Sequence, residues 1–173
     1  MSLTIAIQMD PLESIDINTD STFVLALEAQ ARGYTLYHYL PSELVFRDGF
    51  VYARARPFEV FPEKKKVFNV GAEELLELSL FDIILMRQDP PFDLSYITAT
   101  HLLEHIHPKT LVVNDPINVR NSPEKLLVTH FDGLLPPTLI TSDQKEITAF
   151  REEYKDLIIK PIFGNGGVDV FHI

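Results

Sequence analysis

The chain contains no cysteine, which removes disulfides, thiolate metal sites and cysteine nucleophiles and fits a reducing compartment, the cytoplasm by default. Glycine is sparse, 7 of 173 residues, and even with the 12 prolines is too little for a collagen-like or low-complexity chain. Basic residues are outnumbered, 15 Lys and Arg against 25 Asp and Glu, and a net charge of -10 repels phosphate backbones and anionic lipid. Nucleic acid and membrane surfaces are therefore poor partners. No apolar run approaches the roughly 20 residues that a membrane-spanning helix needs. The run Leu3 to Met9 lacks the basic flank of a targeting segment and stops at Asp10-Pro11. What remains is a folded chain, 46% apolar and 23% charged, long enough for one domain or slightly more.

Apolar periodicity lays out the elements. Leu3 to Met9 reads as a strand covered on both faces. Asp20 or Ser21 caps a helix over residues 21–32, whose Phe23, Leu27, Gln30 and Ala31 carry one apolar face and whose stop is Gly33. Residues 34–39 are aromatic and β-branched, so the opening is a βαβ unit. Residues 44–46 and 50–55 flank Arg47-Asp48-Gly49, a tight hairpin signal, and the Lys64-Lys65-Lys66 triplet beyond reads as a solvated loop without a role. Buried strands at 82–86 and 110–114 bracket a helix over 93–106. The alternation predicts an α/β fold with a parallel sheet over about residues 1–121.

From Ser122 the texture changes. Ser122-Pro123 opens a helix to about Phe131, residues 138–141 read as a strand, and Ser142 caps a helix carrying Ile147, Phe150 and Tyr154. Strands at 157–160 and 168–173 then flank a glycine-rich turn. Two helices and two strands are too few to bury a core, so residues 122–173 are expected to open a second, unfinished domain.

His101-Leu102-Leu103-Glu104-His105 matches the inverted zinc-protease pattern. Helical spacing argues against it, since Ala99, Leu102, Leu103 and Ile106 form the core stripe and turn His101, Glu104 and His105 toward solvent. The turn from Phe163 through Gly164, Asn165, Gly166 and Gly167 fits neither the Walker loop nor the dinucleotide fingerprint, because it lies between two strands. Such a turn either exposes successive backbone N–H groups to a phosphate or is an ordinary flexible connection. Lys160 at the end of the preceding strand strengthens the first reading. Lys125, in the first turn of the helix after Ser122-Pro123, is a second candidate anion ligand. Three loops follow strands with acid, amide or arginine: Asp10-Pro11, Arg87-Gln88-Asp89-Pro90-Pro91 and Asn114-Asp115-Pro116. Small ligands bind outside the carboxyl ends of strands in open α/β sheets, and Arg87 can hold a carboxylate bidentately.

Taken together, "MDP" at 9–11, "DSTFVLALEAQARGY" at 20–34, "ILMRQDPPFD" at 84–93, "VVNDPINVRNSPEKL" at 112–126 and "IIKPIFGNGG" at 158–167 resemble the N-terminal portion of the bacterial glutathione synthetases of the ATP-grasp superfamily. The likeness runs in order along the whole chain. It implies a three-layer, Rossmann-like pre-ATP-grasp domain for substrate binding over 1–121 and a truncated ATP-grasp domain over 122–173. The implied activity is ATP-dependent ligation of γ-glutamylcysteine with glycine through an acyl-phosphate, assisted by magnesium, in a dimer or tetramer. Lys125 and Lys160 correspond to lysines on the ATP phosphates, and Gly164, Asn165, Gly166 and Gly167 to the loop over them. Asp10, Arg87 and Asn114 fall at positions facing the peptide. No catalytic residue or metal ligand is assigned within the chain, the family's metal ligands being expected beyond it, and the 173 residues alone are expected to be inactive. The alternatives are a non-catalytic binding or assembly module that keeps the fold, and an ATP-grasp ligase for another peptide.

Overall fold

The computed structural model describes residues 2–62 and 67–173, and the Lys64-Lys65-Lys66 triplet lies outside them. The chain divides into two compact units, Met1–Arg120 and Asn121–Ile173.

In the first unit β1 (Thr4–Gln8), α1 (Ser21–Ala31) and β2 (Thr35–Tyr39) form the expected βαβ opening, with β1 and β2 parallel from Thr4 opposite Thr35 to Gln8 opposite Tyr39. A hairpin of β3 (Leu44–Arg47) and β4 (Phe50–Val60) turns through Asp48 and Gly49, both at positive φ. Two short strands that periodicity does not announce, β5 (Phe68–Val70) and β6 (Glu74–Glu77), lie antiparallel to β4. Then follow β7 (Ile83–Met86), α2 (Leu94–Glu104), β8 (Leu111–Val113) and α3 (Pro116–Asn121), the last also unforeseen. The strand order is β3-β4-β2-β1-β7-β8, parallel from β2 through β8, with β5 and β6 also paired to β4.

Strict alternation along the buried strands splits the core between the two sheet faces. Ile5, Ile7 and Met9 pack with Leu36, Phe58 and the α1 residues Phe23, Ala26 and Ala29. On the other face Ala6, Tyr39, Ile84, Met86 and Val112 pack with Leu103 and Ile106 from α2 and its end. Helix, sheet and helix make the three-layer α/β arrangement. The α1 stripe is rotated from the expected one: Thr22, Phe23, Ala26 and Ala29 are buried and Ala31 is exposed. Gln30 belongs to this face for a polar reason, since its amide donates to the Val60 carbonyl and accepts the Val60 N–H, both at 2.9 Å.

In the second unit α4 (Glu124–Leu127) runs into a 3-10 turn at Val128–His130, so the helix expected to Phe131 is shorter and tighter at its end. Residues 138–141 form no strand; their β-branched character has no neighbouring strand to pair with among the described residues. α5 (Gln144–Tyr154) is capped by Asp143 rather than Ser142, its carboxylate accepting the Lys145 N–H at 2.8 Å. β9 (Ile158–Ile159) and β10 (Phe171–His172) pair antiparallel and are shorter than expected. No residue from 121 to 173 is buried.

Candidate functional site

Because β1, β7 and β8 are parallel neighbours, the loops after them meet at one end of the sheet. That places Asp10, Arg87 and Asn114 along the same edge, Arg87 directly after Met86 and Asn114 directly after Val113. Asp10 and Arg87 line a recess of about 30 Å³ together with Asp20, Thr22 and Asp89; Asn114 is exposed and does not line it. On the other side of Asp10 opens a groove of about 620 Å³, walled by Leu40, Ser42, Leu94, Thr98 and Leu102.

Arg87 is held at three points. Its N–H donates to the Gln8 carbonyl at 2.8 Å, its Nε to Thr22 Oγ1 at 3.1 Å and an Nη2 hydrogen to Ser21 Oγ at 2.6 Å. Neither Arg87 nor Asp10 joins an ion pair within 4 Å among the described residues. Asp10 Oδ2 accepts the Asp89 N–H at 2.6 Å, tying the first loop to the second. Tyr96, from the first turns of α2, lies tilted against Phe92 with ring centroids 5.0 Å apart, and its phenol is held above the usual range by burial, with Arg87 opposing and Asp89 and Asp10 adding to the shift. Asp89 already belonged to the loop singled out after the strand, whereas Ser21, Thr22 and Tyr96 gave no signal, because hydroxyls at a helix start read as caps and only the fold carries them to Arg87.

In the second unit the glycine-rich turn between β9 and β10 curls through Gly166 and Gly167 at φ of 60° and 78°. The Gly164 N–H and Val168 N–H return to Pro161 and Asn165, while those of Asn165, Gly166 and Gly167 donate to no protein acceptor among the described residues. Lys125 Nζ donates to the Gly164 carbonyl, which joins the α4 lysine to the turn across 39 residues of sequence. Lys160 stands exposed just after β9, with no ion pair among the described residues. Two ammonium groups and a run of free backbone N–H groups suit phosphate oxygens.

The His101-Leu102-Leu103-Glu104-His105 string assembles nothing comparable. Ala99, Leu103 and Ile106 are buried, His101 and His105 face solvent, and Glu104 is engaged by Arg120 at 2.8 Å. Among the described residues no group of three or more His, Asp or Glu is placed to hold a metal ion.

Comparison with known proteins agrees with both halves of this layout. Residues 3–120 match the N-terminal domain of prokaryotic glutathione synthetase, and residues 124–173 match its ATP-grasp domain. Among curated proteins, the glutathione synthetase of Mesorhizobium japonicum is 54% identical over all 173 residues and that of Agrobacterium fabrum 57% identical over 168, or 97% of the chain. The glutathione synthetase of Escherichia coli O127:H6 is 40% identical over 172 residues, 99% of the chain. The chain spans about half the length of these relatives, 55%, 53% and 54% of them respectively. On the match of 118 consecutive positions to its N-terminal domain and of residues 124–173 to its ATP-grasp domain, the chain belongs to the prokaryotic glutathione synthetase family.

Proposed function

We propose that the protein carrying this chain is an ATP-dependent carboxylate–amine ligase that joins γ-glutamylcysteine to glycine through an acyl-phosphate of the cysteinyl carboxylate. The observation that carries the reading is the Lys125 contact with Gly164: it gathers a cation and a glycine-rich turn within the segment that matches an ATP-grasp domain. Lys125 and Lys160 hold phosphate oxygens, and the N–H groups of Gly166 and Gly167 approach them because glycine presents no Cβ, with that of Asn165 beside them. Phosphoryl transfer asks for positioning and charge neutralisation more than covalent chemistry by the protein, and these residues supply both. Asp10, Arg87 and Asn114 bind the peptide. Magnesium does not fit the described donors, which are ammonium and backbone N–H groups where a hard cation takes oxygen.

The 173-residue chain by itself is inactive in this reading, and the protein is cytoplasmic and a dimer or tetramer. No described helix is long and apolar enough to cross a membrane. Mass measurement in solution tests the assembly. For the activity, ADP release by the full-length protein is followed with ATP, magnesium, γ-glutamylcysteine and glycine, and the product is weighed. Glutathione formation supports the reading. ADP release only with another acceptor makes it a different ligase, and no ATP turnover with any acceptor makes it a binding module.

A further inference from the structure

We infer that His38 is the sensor of a proton-operated latch in the first unit: charging its ring draws Glu43 away from the Leu40 N–H and from Arg56, and so loosens residues 40–44, one wall of the groove of about 620 Å³. The inference does not depend on the ligase reading.

The wall hangs on one carboxylate. Leu40, Pro41, Ser42 and Leu44 line the groove together with residues of α2. The 3-10 turn Pro41–Glu43 carries this segment away from the end of β2, and Glu43 Oε2 accepts the Leu40 N–H at 2.8 Å. The same carboxylate meets Arg56, whose Nη1 lies 2.9 Å from Oε1 and 3.1 Å from Oε2. Its side chain is only 15% exposed, so the contact is weakly screened by water. Arg56 also holds Glu73, and it can release Glu43 without losing every acceptor.

His38 stands beside this junction. It lies opposite Arg56 in the β2–β4 register, and both its ring nitrogens are buried with no hydrogen-bond partner among the described residues. Buried polar atoms are almost always paired, so a ring left without a partner is poised to respond to charge. Neutral, it rests edge-on against Phe58; charged, it carries two donors with no acceptor in place. The charged groups that face it are Arg56 on β4, Glu43, and Glu13 in the 3-10 turn Leu12–Ser14, while β1 offers it Ile7. Burial, then Arg56, hold the imidazole below its usual range, with Glu43 and Glu13 opposing. A charged ring cannot pair with Arg56, and Glu13 is exposed, where its attraction is screened. Glu43 is the acceptor left, and its turn toward the ring takes the hydrogen bond from the wall.

Hydrogen exchange of the full-length protein, read by mass spectrometry at about pH 7.5 and 5.5 and corrected for intrinsic rates, tests the latch. At both values peptides spanning residues 40–44 should exchange faster than those of β1 and β7 and should ignore dilute urea, because local opening exposes little surface. Their exchange should quicken by up to about 10-fold at the lower pH, the limit for a group that takes up its proton at about 6.5 once the latch is open. His38→Gln, or His38→Leu where the first fails to fold, should abolish that gain. Glu43→Ala should exchange fast at residues 40–44 at both values. Exchange of residues 40–44 that tracks β1 and β7 in rate and urea dependence would overturn the inference, as would the absence of a pH gain in the unmodified protein or a gain that survives the loss of the His38 ring.

Discussion

His107 and Asp115 form a clamp over the loop that carries Asn114. The His107 Nε2 lies 3.0 Å from Asp115 Oδ2, while Nδ1 accepts the Val112 N–H at 3.3 Å. An accepting Nδ1 puts the proton on Nε2, where it donates to the carboxylate. Asp115 in turn caps α3, accepting the Asn118 N–H at 2.8 Å. The pair thus joins the end of β8 to the start of α3. His107→Ala should lower unfolding stability by about 1 to 2 kcal/mol, the worth of the lost hydrogen bonds and weakened cap. Denaturant unfolding checks this, and an unchanged midpoint would show the clamp to be idle.

His38 gives the first unit a pH dependence of definite sign. The ring is 6% exposed on β2 and packs edge-on against Phe58, with centroids 5.4 Å apart. Burial holds the imidazole below its usual range, Arg56 adds to the shift, and Glu43 and Glu13 oppose it. A depressed folded-state value means the unfolded chain takes up the proton more readily, so stability rises with pH. The contribution is fully present above the unfolded value near 6.5 and is lost as pH falls through that value toward the folded one. Melting temperature should therefore drop between about pH 7.5 and 5.5, and His38→Leu should flatten that slope. Equal slopes in the two proteins would show that other groups set the dependence.

The parallel sheet was legible because β1 and β7 are covered on both faces, fully or by half, and so read as apolar runs, and the hairpin because Asp48-Gly49 supplies two positive φ angles at the turn. β5 and β6 were not, since each is three or four residues long and rests on β4 rather than on its own pattern. The strand expected at 138–141 failed for the converse reason: propensity measures fit to a sheet, and no strand lies beside it among the described residues. Asp10 and Arg87 stood out as candidates because Asp10 lies two residues after β1 and Arg87 directly after β7, at the sheet end where open α/β folds take small ligands. Thr22 did not, because it sits 65 residues from the arginine whose Nε–H it accepts.

The glycine-rich turn and its lysines should govern nucleotide more than peptide. Replacing Lys125 or Lys160 by Met in the full-length protein removes a charge on phosphate and should weaken ATP binding by roughly 1.5 to 3 kcal/mol. Gly164→Ala should act on the same property, since a Cβ there would lie 2.5 Å from Pro161 Cγ and the carbonyl that Lys125 meets would have to move. Calorimetric titration with ATP and with γ-glutamylcysteine separates the effects. Unchanged ATP affinity in both lysine variants would remove the turn from the nucleotide site.

The 173-residue chain on its own should not make glutathione. Transfer to the cysteinyl carboxylate requires the γ-phosphate to be neutralised while it moves, and among the described residues only ammonium and backbone N–H groups are at hand, with no cluster of acids to seat a divalent cation. The second unit also buries no residue, and Phe163, Val168 and Phe171 are 81%, 65% and 57% exposed about the glycine-rich turn. With so few apolar contacts the turn should open at low free-energy cost, so its amide protons should exchange fast beside those of β1 and β7 in the first unit. Hydrogen exchange read by mass spectrometry tests the turn. ADP release dependent on both γ-glutamylcysteine and glycine, sustained by this chain alone, would show that its own residues complete the phosphate site.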